Sequence, residues 1–248
     1  MELTLLFLFF LLSAVAALGT GYVLGFASAL FYGWWYWSRA ECVGTAPAYW
    51  PAARHWADFL LPHHTVKLPE APLPPGPLLF ACRPHGILVV SAWLTFLTGR
   101  LDARRPGPKP TLLAVHSILF KIPLLRELAL ALGCIDVGRE SILAALSHGY
   151  RVAVLPGGVR EMAGMVENPG PTGLEKLAAE YGVPLVQVHF GGEADLCWVW
   201  TGEPRWLKNL REWLIRKTRA PFPLFFVPRV WRWPRLETTF ILPLSEIQ

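Results

Sequence analysis

The sequence predicts an α/β domain, a mainly parallel sheet flanked by helices, preceded by an N-terminal transmembrane hairpin. Three observations predict it. From Leu78 onward, short apolar runs alternate with stretches of helical periodicity, the pattern of strands joined by crossover helices. Leu3 to Ser38 carry no charge and no histidine over 36 residues, well beyond the roughly 20 that cross a bilayer as one helix. The 248 residues are 53% hydrophobic and 17% charged, which supplies one sizeable core, falls short of two ordinary domains and excludes disorder.

Residues 1–38 form the membrane-embedded part. Gly19-Thr20-Gly21 breaks helix propensity near the middle of the run, so a hairpin of two half-segments is favoured over one long tilted span. A cleaved signal peptide ranks second, because Glu2 stands where a basic leader is required. Arg39 and Arg54 are the first cations after the run and place the following body in the cytosol. Residues 39–77 read as an interfacial segment and connector, since Pro69 to Pro77 holds five prolines and is neither regular helix nor central strand. The adjacent pair His63-His64 reads as a solvated or interfacial loop, not a metal pair.

Residues 78–248 form the remaining domain. Leu78–Cys82, Leu112–Val115, Val152–Leu155 and Val183–Phe190 are the expected strands. Ile122–Leu132 has apolar residues at 122, 125, 128, 129 and 132 and reads as an amphipathic helix, and Ser141–Ser147 as another. Thr172 and Glu175 have capping-box spacing before a helix that presents Leu174, Leu177, Ala178 and Tyr181 on one face and stops at Gly182 and Pro184. Between Glu203 and Arg235, nine Lys/Arg are interleaved with Trp206, Trp213, Trp231 and Trp233, the mixture favoured at bilayer headgroups. Trp206, Leu207, Leu210, Trp213 and Leu214 share one face, which predicts a helix lying in the interface.

In open parallel sheets, ligands bind outside the carboxyl ends of the strands, and two motifs fall there. Arg83-Pro84-His85-Gly86 follows the first strand, with an imidazole able to accept a proton near neutral pH. Leu155-Pro156-Gly157-Gly158-Val159-Arg160-Glu161 follows another, where paired glycines let a ligand approach the backbone and offer N–H groups to an oxyanion. His85 with Glu161 beside it suits deprotonation of an alcohol attacking an acyl group.

Other chemistries lack their signatures. There is no Gly-x-Ser-x-Gly elbow, no phosphate-binding Gly-x-x-x-x-Gly-Lys loop and no His-Glu-x-x-His helix. Cys42, Cys82, Cys134 and Cys197 are widely spaced, which excludes a Cys-x-x-Cys metal or redox site and fits a reducing compartment; no metal is expected. The net charge of +5 is too mild for a dedicated nucleic-acid binder but suits anionic lipid or phosphorylated ligands.

Arg83-Pro84-His85-Gly86 resembles the His-Pro-His-Gly block of the type 2 diacylglycerol acyltransferase family, which includes monoacylglycerol and wax-ester acyltransferases within the glycerolipid acyltransferase superfamily. Phe120 to Glu127 resembles that family's Arg-Glu helix block, Val154 to Met162 its Gly-Gly-x-x-Glu segment, and Gly173 to Glu193 its longest shared stretch, all in the family's order. The resemblance implies that His85 is the catalytic histidine and Glu161 the second essential acid. It implies further that Arg83, Gly86, Gly157, Gly158 and Arg160 serve the oxyanion or acyl-CoA, and that Arg126 and Glu193 contact substrate. Two departures stand out: Arg83 replaces the block's first histidine, and Val90 replaces the aspartate of the superfamily's His-x4-Asp. Many relatives carry a further C-terminal segment, so a chain stopping just after its last expected strand is a compact member or a fragment.

The expected activity is transfer of a fatty acyl group from acyl-CoA, as co-substrate and with no other cofactor, to a neutral lipid hydroxyl, first of all diacylglycerol. Monoacylglycerol or a wax or isoprenoid alcohol is the next acceptor, then a lysophospholipid; a non-catalytic lipid-droplet protein is the reading from another class. The expected partners are acyl-CoA, the neutral lipid and the bilayer. The expected place is the cytosolic face of the endoplasmic reticulum membrane or a lipid droplet.

Overall fold

The computed structural model describes residues 8, 11–13, 28–34, 55, 58, 59, 63–84, 89–157, 173–199, 204–218, 226–228 and 235–242. The strands are β1 (His64–Lys67), β2 (Leu78–Arg83), β3 (Thr111–Val115), β4 (Cys134–Asp136), β5 (Arg151–Val154), β6 (Leu185–Gly191), β7 (Cys197–Val199), β8 (Phe226–Pro228) and β9 (Leu236–Ile241). Seven of them form one sheet in the order β1-β9-β6-β2-β5-β3-β4, and β7 and β8 pair apart. The block β6-β2-β5-β3-β4 is parallel throughout. β9 runs antiparallel to β6, and β1 parallel to β9. Residues His64–Lys67, within the segment read as a connector, therefore extend the sheet as its edge strand.

The helices are α1 (Val90–Ala92, continued by π-helical Trp93–Leu97), α2 (Arg100–Arg104), α3 (Leu125–Ala131), α4 (Arg139–Ser147), α5 (Gly173–Tyr181) and α6 (Arg205–Thr218). Single 3-10 turns cover Ser117–Lys121 and Glu193–Asp195. Among the described residues no helix is long and apolar enough to cross a membrane; most of 3–38, where the hairpin is expected, lies outside them.

Two apolar layers arise from the alternation of side chains along the central strands. Leu78, Phe80 and Cys82 face α1, α2 and Ala129 of α3 in one layer. Leu79 and Ala81 face Ile142, Ala145 and Leu146 of α4 and Leu174, Leu177 and Ala178 of α5 in the other. The first layer centres on Phe80, Phe96 and Phe240. Both of the latter rings lie 5.6 Å from Phe80, and Phe240 meets it edge-on at 83°, an arrangement favoured by the ring quadrupoles. Tyr181, expected on the buried face of α5, is exposed and lies with its ring 5.9 Å from the Arg139 guanidinium.

At the amino ends of β3 and β5, away from the motif loops, Arg151 is buried. Its guanidinium donates to the Arg105 carbonyl at 2.8 Å and lies 3.9 Å from Asp102, which accepts from the amide and hydroxyl of Thr111. This network fastens α2 to the sheet.

At the edge strand, the His64 ring is half-buried. Its Nδ1 accepts from Arg100, which leaves Nε2–H to donate to the Thr238 hydroxyl at 3.0 Å; that hydroxyl is 3.0 Å from Thr95 Oγ1. Burial first, then Arg100 and Arg104, push the His64 pKa from 6.5 down to about 4, against a smaller opposing effect of Asp58. The native protein thus refuses a proton that the unfolded chain accepts below 6.5. Stability from neutral His64 is complete above pH 6.5 and is lost as pH falls toward 4. Thermal melting between these values is expected to show this loss in the wild type and a flatter profile in His64→Gln.

Candidate active site

The sheet order marks one position as special. The connection from β2 to β3 passes over β5 and carries α1 and α2 on the Phe80 side; the connection from β5 to β6 passes over β2 and carries α5 on the other side. Right-handed crossovers that travel in opposite directions must take opposite faces, and the two connections separate at the carboxyl ends of β2 and β5. Such a switch point leaves a crevice. The two strands are in direct register, Leu78 opposite Arg151 and Ala81 opposite Val154, so β2, ending at Arg83, runs two residues beyond the end of its neighbour β5 at Val154.

Both motifs begin at that crevice. Arg83 ends β2, and its buried Nε has no hydrogen-bond partner among the described residues. Gly157, three residues past β5, has φ +91°, a conformation strained for any side chain. His85 and Gly86, and Gly158, Arg160 and Glu161, lie outside the described residues.

The start of α1, just beyond the histidine loop, has a strained backbone. Val89 opens the helix with φ 52°, a left-handed conformation that a β-branched residue adopts at a cost of about 1–3 kcal/mol and that persists only where its surroundings enforce it. The enforcing contact comes from the far end of β6. Gly192 turns the chain at φ +84°, and the buried Glu193 beyond it accepts the Ser91 amide on Oε1 at 2.5 Å. A carboxylate thus caps the first turn of α1, favoured by charge-assisted bonding and by the helix dipole.

Glu193, expected to contact substrate, is therefore a buried clasp between β6 and the segment after His85. Its Oε2 and the Ser91 hydroxyl are both buried without a hydrogen-bond partner among the described residues. Glu193→Ala is expected to destabilise the protein by about 2–3 kcal/mol, the cost of leaving a buried donor unmade, read as a lowered melting temperature.

Arg126, also expected at the substrate, is buried in α3 with its Nε 4.0 Å from Glu127 Oε1. The amphipathic face expected for this helix is split: Ala129 is buried and Leu132 packs on the core, whereas Ile122, Leu125 and Leu128 are exposed and Arg126 and Glu127 are buried. Periodicity places these leucines on one face but does not say which side that face meets.

His189 escaped sequence reasoning as a separate candidate, because an imidazole inside a strand carries no motif. The register sets it beside Arg83 on β2 and Thr239 on β9, and it is exposed. Cys82 and Cys134 are poor nucleophile candidates, since burial pushes both thiols well above their usual range. Among the described residues no cluster of His, Cys, Asp or Glu is arranged to hold a metal ion.

The family model for diacylglycerol acyltransferases matches residues 23–240. The chain is 31% identical over 209 residues to diacylglycerol O-acyltransferase 2A of Umbelopsis ramanniana, covering 77% of this chain and 56% of that enzyme. It is 31% identical over 189 residues to 2-acylglycerol O-acyltransferase 1 of Bos taurus, covering 71% and 55%. It is 28% identical over 165 residues to human acyl-CoA wax alcohol acyltransferase 2, covering 61% and 48%. The chain thus spans about half the length of these relatives, and no solved structure matches it. With the family model covering most of the sequence, the chain belongs to the diacylglycerol acyltransferase family.

Proposed function

We propose that this protein is a membrane-bound O-acyltransferase that moves a fatty acyl group from acyl-CoA to a neutral lipid hydroxyl, with diacylglycerol as the first acceptor. The observation that carries the reading is the switch point: the loop bearing His85 and the loop bearing Glu161 both start from it, in a chain of this family. His85 takes the proton of the acceptor hydroxyl as its oxygen attacks the thioester carbonyl carbon. The new C–O bond leaves an oxyanion, which the Gly157 and Gly158 N–H groups stabilise. The C–S bond then breaks, and coenzyme A leaves as the thiol after taking the proton back from the imidazolium. Glu161 orients and charge-balances the imidazole. Arg83 holds a coenzyme A phosphate, with Gly86 and Arg160 lining the same loops. Acyl-CoA is a co-substrate, and no further cofactor enters the scheme.

The membrane part of the proposal has two supports. Leu3 to Ser38 carry no charge. On α6, Trp206 and Trp213 are 67% and 55% exposed beside exposed Leu210, while Arg211 and Ile215 turn inward, leaving an aromatic stripe between basic residues that suits an interfacial helix. The proposed location is the cytosolic face of the endoplasmic reticulum membrane or a lipid droplet.

The test is incorporation of labelled acyl-CoA into lipid by microsomes carrying wild type, His85→Ala or Glu161→Gln. Triacylglycerol from wild type alone is the expected result. A phospholipid product, or equal lack of product in all three, would contradict it.

A further inference from the structure

Helix α3 packs Ala129 on the core but buries two charged residues and exposes leucines. Arg126 and Glu127 are 5% and 8% exposed, whereas Leu124 and Leu128 are 50% and 45% exposed, with Ile122 and Leu125 beside them. A contiguous exposed apolar patch over buried charges is unfavourable in water and implies an apolar neighbour.

Its place in the fold says which neighbour. The segment leaves the carboxyl end of β3 after Val115, runs through the Ser117–Lys121 turn and returns along α3 to β4. Ile122, Leu124 and Leu125 thus stand on the side of the sheet from which the β2 and β5 loops emerge. Leu124, held at φ 69°, donates its amide to the Tyr32 hydroxyl at 3.0 Å. Tyr32 belongs to the uncharged N-terminal run, and around it Leu30, Phe31 and Trp34 are themselves exposed. The two apolar surfaces are therefore continuous through this hydrogen bond, and exposed Lys121 stands at the rim, where a cation meets headgroups favourably.

We propose that Ile122, Leu124, Leu125 and Leu128 form a second lipid contact, adjoining the N-terminal run at Tyr32 and distinct from α6, which dips into the bilayer at the carboxyl edge of the sheet and passes the acceptor lipid to the site. This rests on the membrane acyltransferase reading above. Water-side access then belongs to acyl-CoA, and bilayer-side access to the acceptor.

The experiment reconstitutes the full chain in vesicles of phosphatidylcholine bearing a diazirine on its acyl chain, followed by illumination and peptide mapping. Adducts are expected on the tryptic peptides Ile122–Arg126 and Glu127–Arg139 and not on Glu140–Arg151, which carries α4. Leu124→Ser/Leu128→Ser is expected to lose these adducts and to raise the KM for vesicle-borne diacylglycerol about tenfold, as loss of ground-state binding does. Its KM for acyl-CoA and its melting temperature are expected to stay unchanged. Adducts on 3–38 with none on 122–128 would overturn this inference alone, and so would a concentration-dependent dimer abolished by the double variant in place of lipid adducts. Normal adducts on 122–128 in a wild type that transfers no acyl group would overturn the proposed activity and leave the lipid contact standing. Absence of adducts throughout would overturn both.

Discussion

His85→Ala is expected to lower acyl transfer by about 10²–10⁴-fold, the usual contribution of a positioned general base, with little change in KM for acyl-CoA. Elimination and position both point to this residue. An alcohol is almost wholly protonated at neutral pH, so a base must take its proton as it attacks. The buried thiols of Cys82 and Cys134 are held protonated, which disfavours either as a covalent nucleophile. In the proposed reading His85, two residues beyond the end of β2 in sequence, is that base. Rates at saturating acyl-CoA and diacylglycerol for wild type and variant, with melting temperatures to exclude misfolding, measure the effect.

Gly192→Ala is expected to be among the most damaging substitutions in the chain. A Cβ at this position would collide with the Arg235 carbonyl oxygen, and the backbone is held at φ +84°. The left-handed conformation alone costs an L-residue about 1–2 kcal/mol, and the clash is with backbone, which cannot swing aside. A total of about 3 kcal/mol corresponds to a melting temperature lower by roughly 6–12 °C for a protein of this size. Activity is expected to fall further than stability, because Glu193 is the next residue and holds Ser91 beyond the histidine loop. Gly149→Ala is the control: its φ is +80° but nothing lies within 4 Å of the added methyl, so only the conformational cost remains.

The central strands were legible because each is buried on both faces and reads as an uninterrupted apolar run: Leu78–Cys82 lies within β2, and Val152 to Val154 within β5. The edges were not. β1 begins at the second of two adjacent histidines and precedes a proline-rich stretch, and β9, Leu236–Ile241, alternates buried with more exposed residues around Glu237 and two threonines. Neither strand announces its pairing, because that pairing is between segments more than 160 residues apart. For the site, the sequence marks glycine and histidine breaks after two strands, of which the described residues include the ends of β2 and β5 and Gly157. Glu193 was visible only as a member of a shared block, since its bond to Ser91 spans 102 residues. The exposure of Ile122, Leu125 and Leu128 was hidden for a different reason: apolar spacing alone does not say whether a residue meets a core or the surface.

Whether the loops leaving β2 and β5 make one catalytic unit can be decided by a double-mutant cycle on acyl-transfer rate, with His85→Ala, Glu161→Gln and the pair together. If the imidazole and the carboxylate work as a unit, their effects are strongly non-additive, and the double variant is predicted to be no slower than His85→Ala alone. Rate losses that simply multiply, or a Glu161→Gln enzyme as fast as wild type, would contradict it.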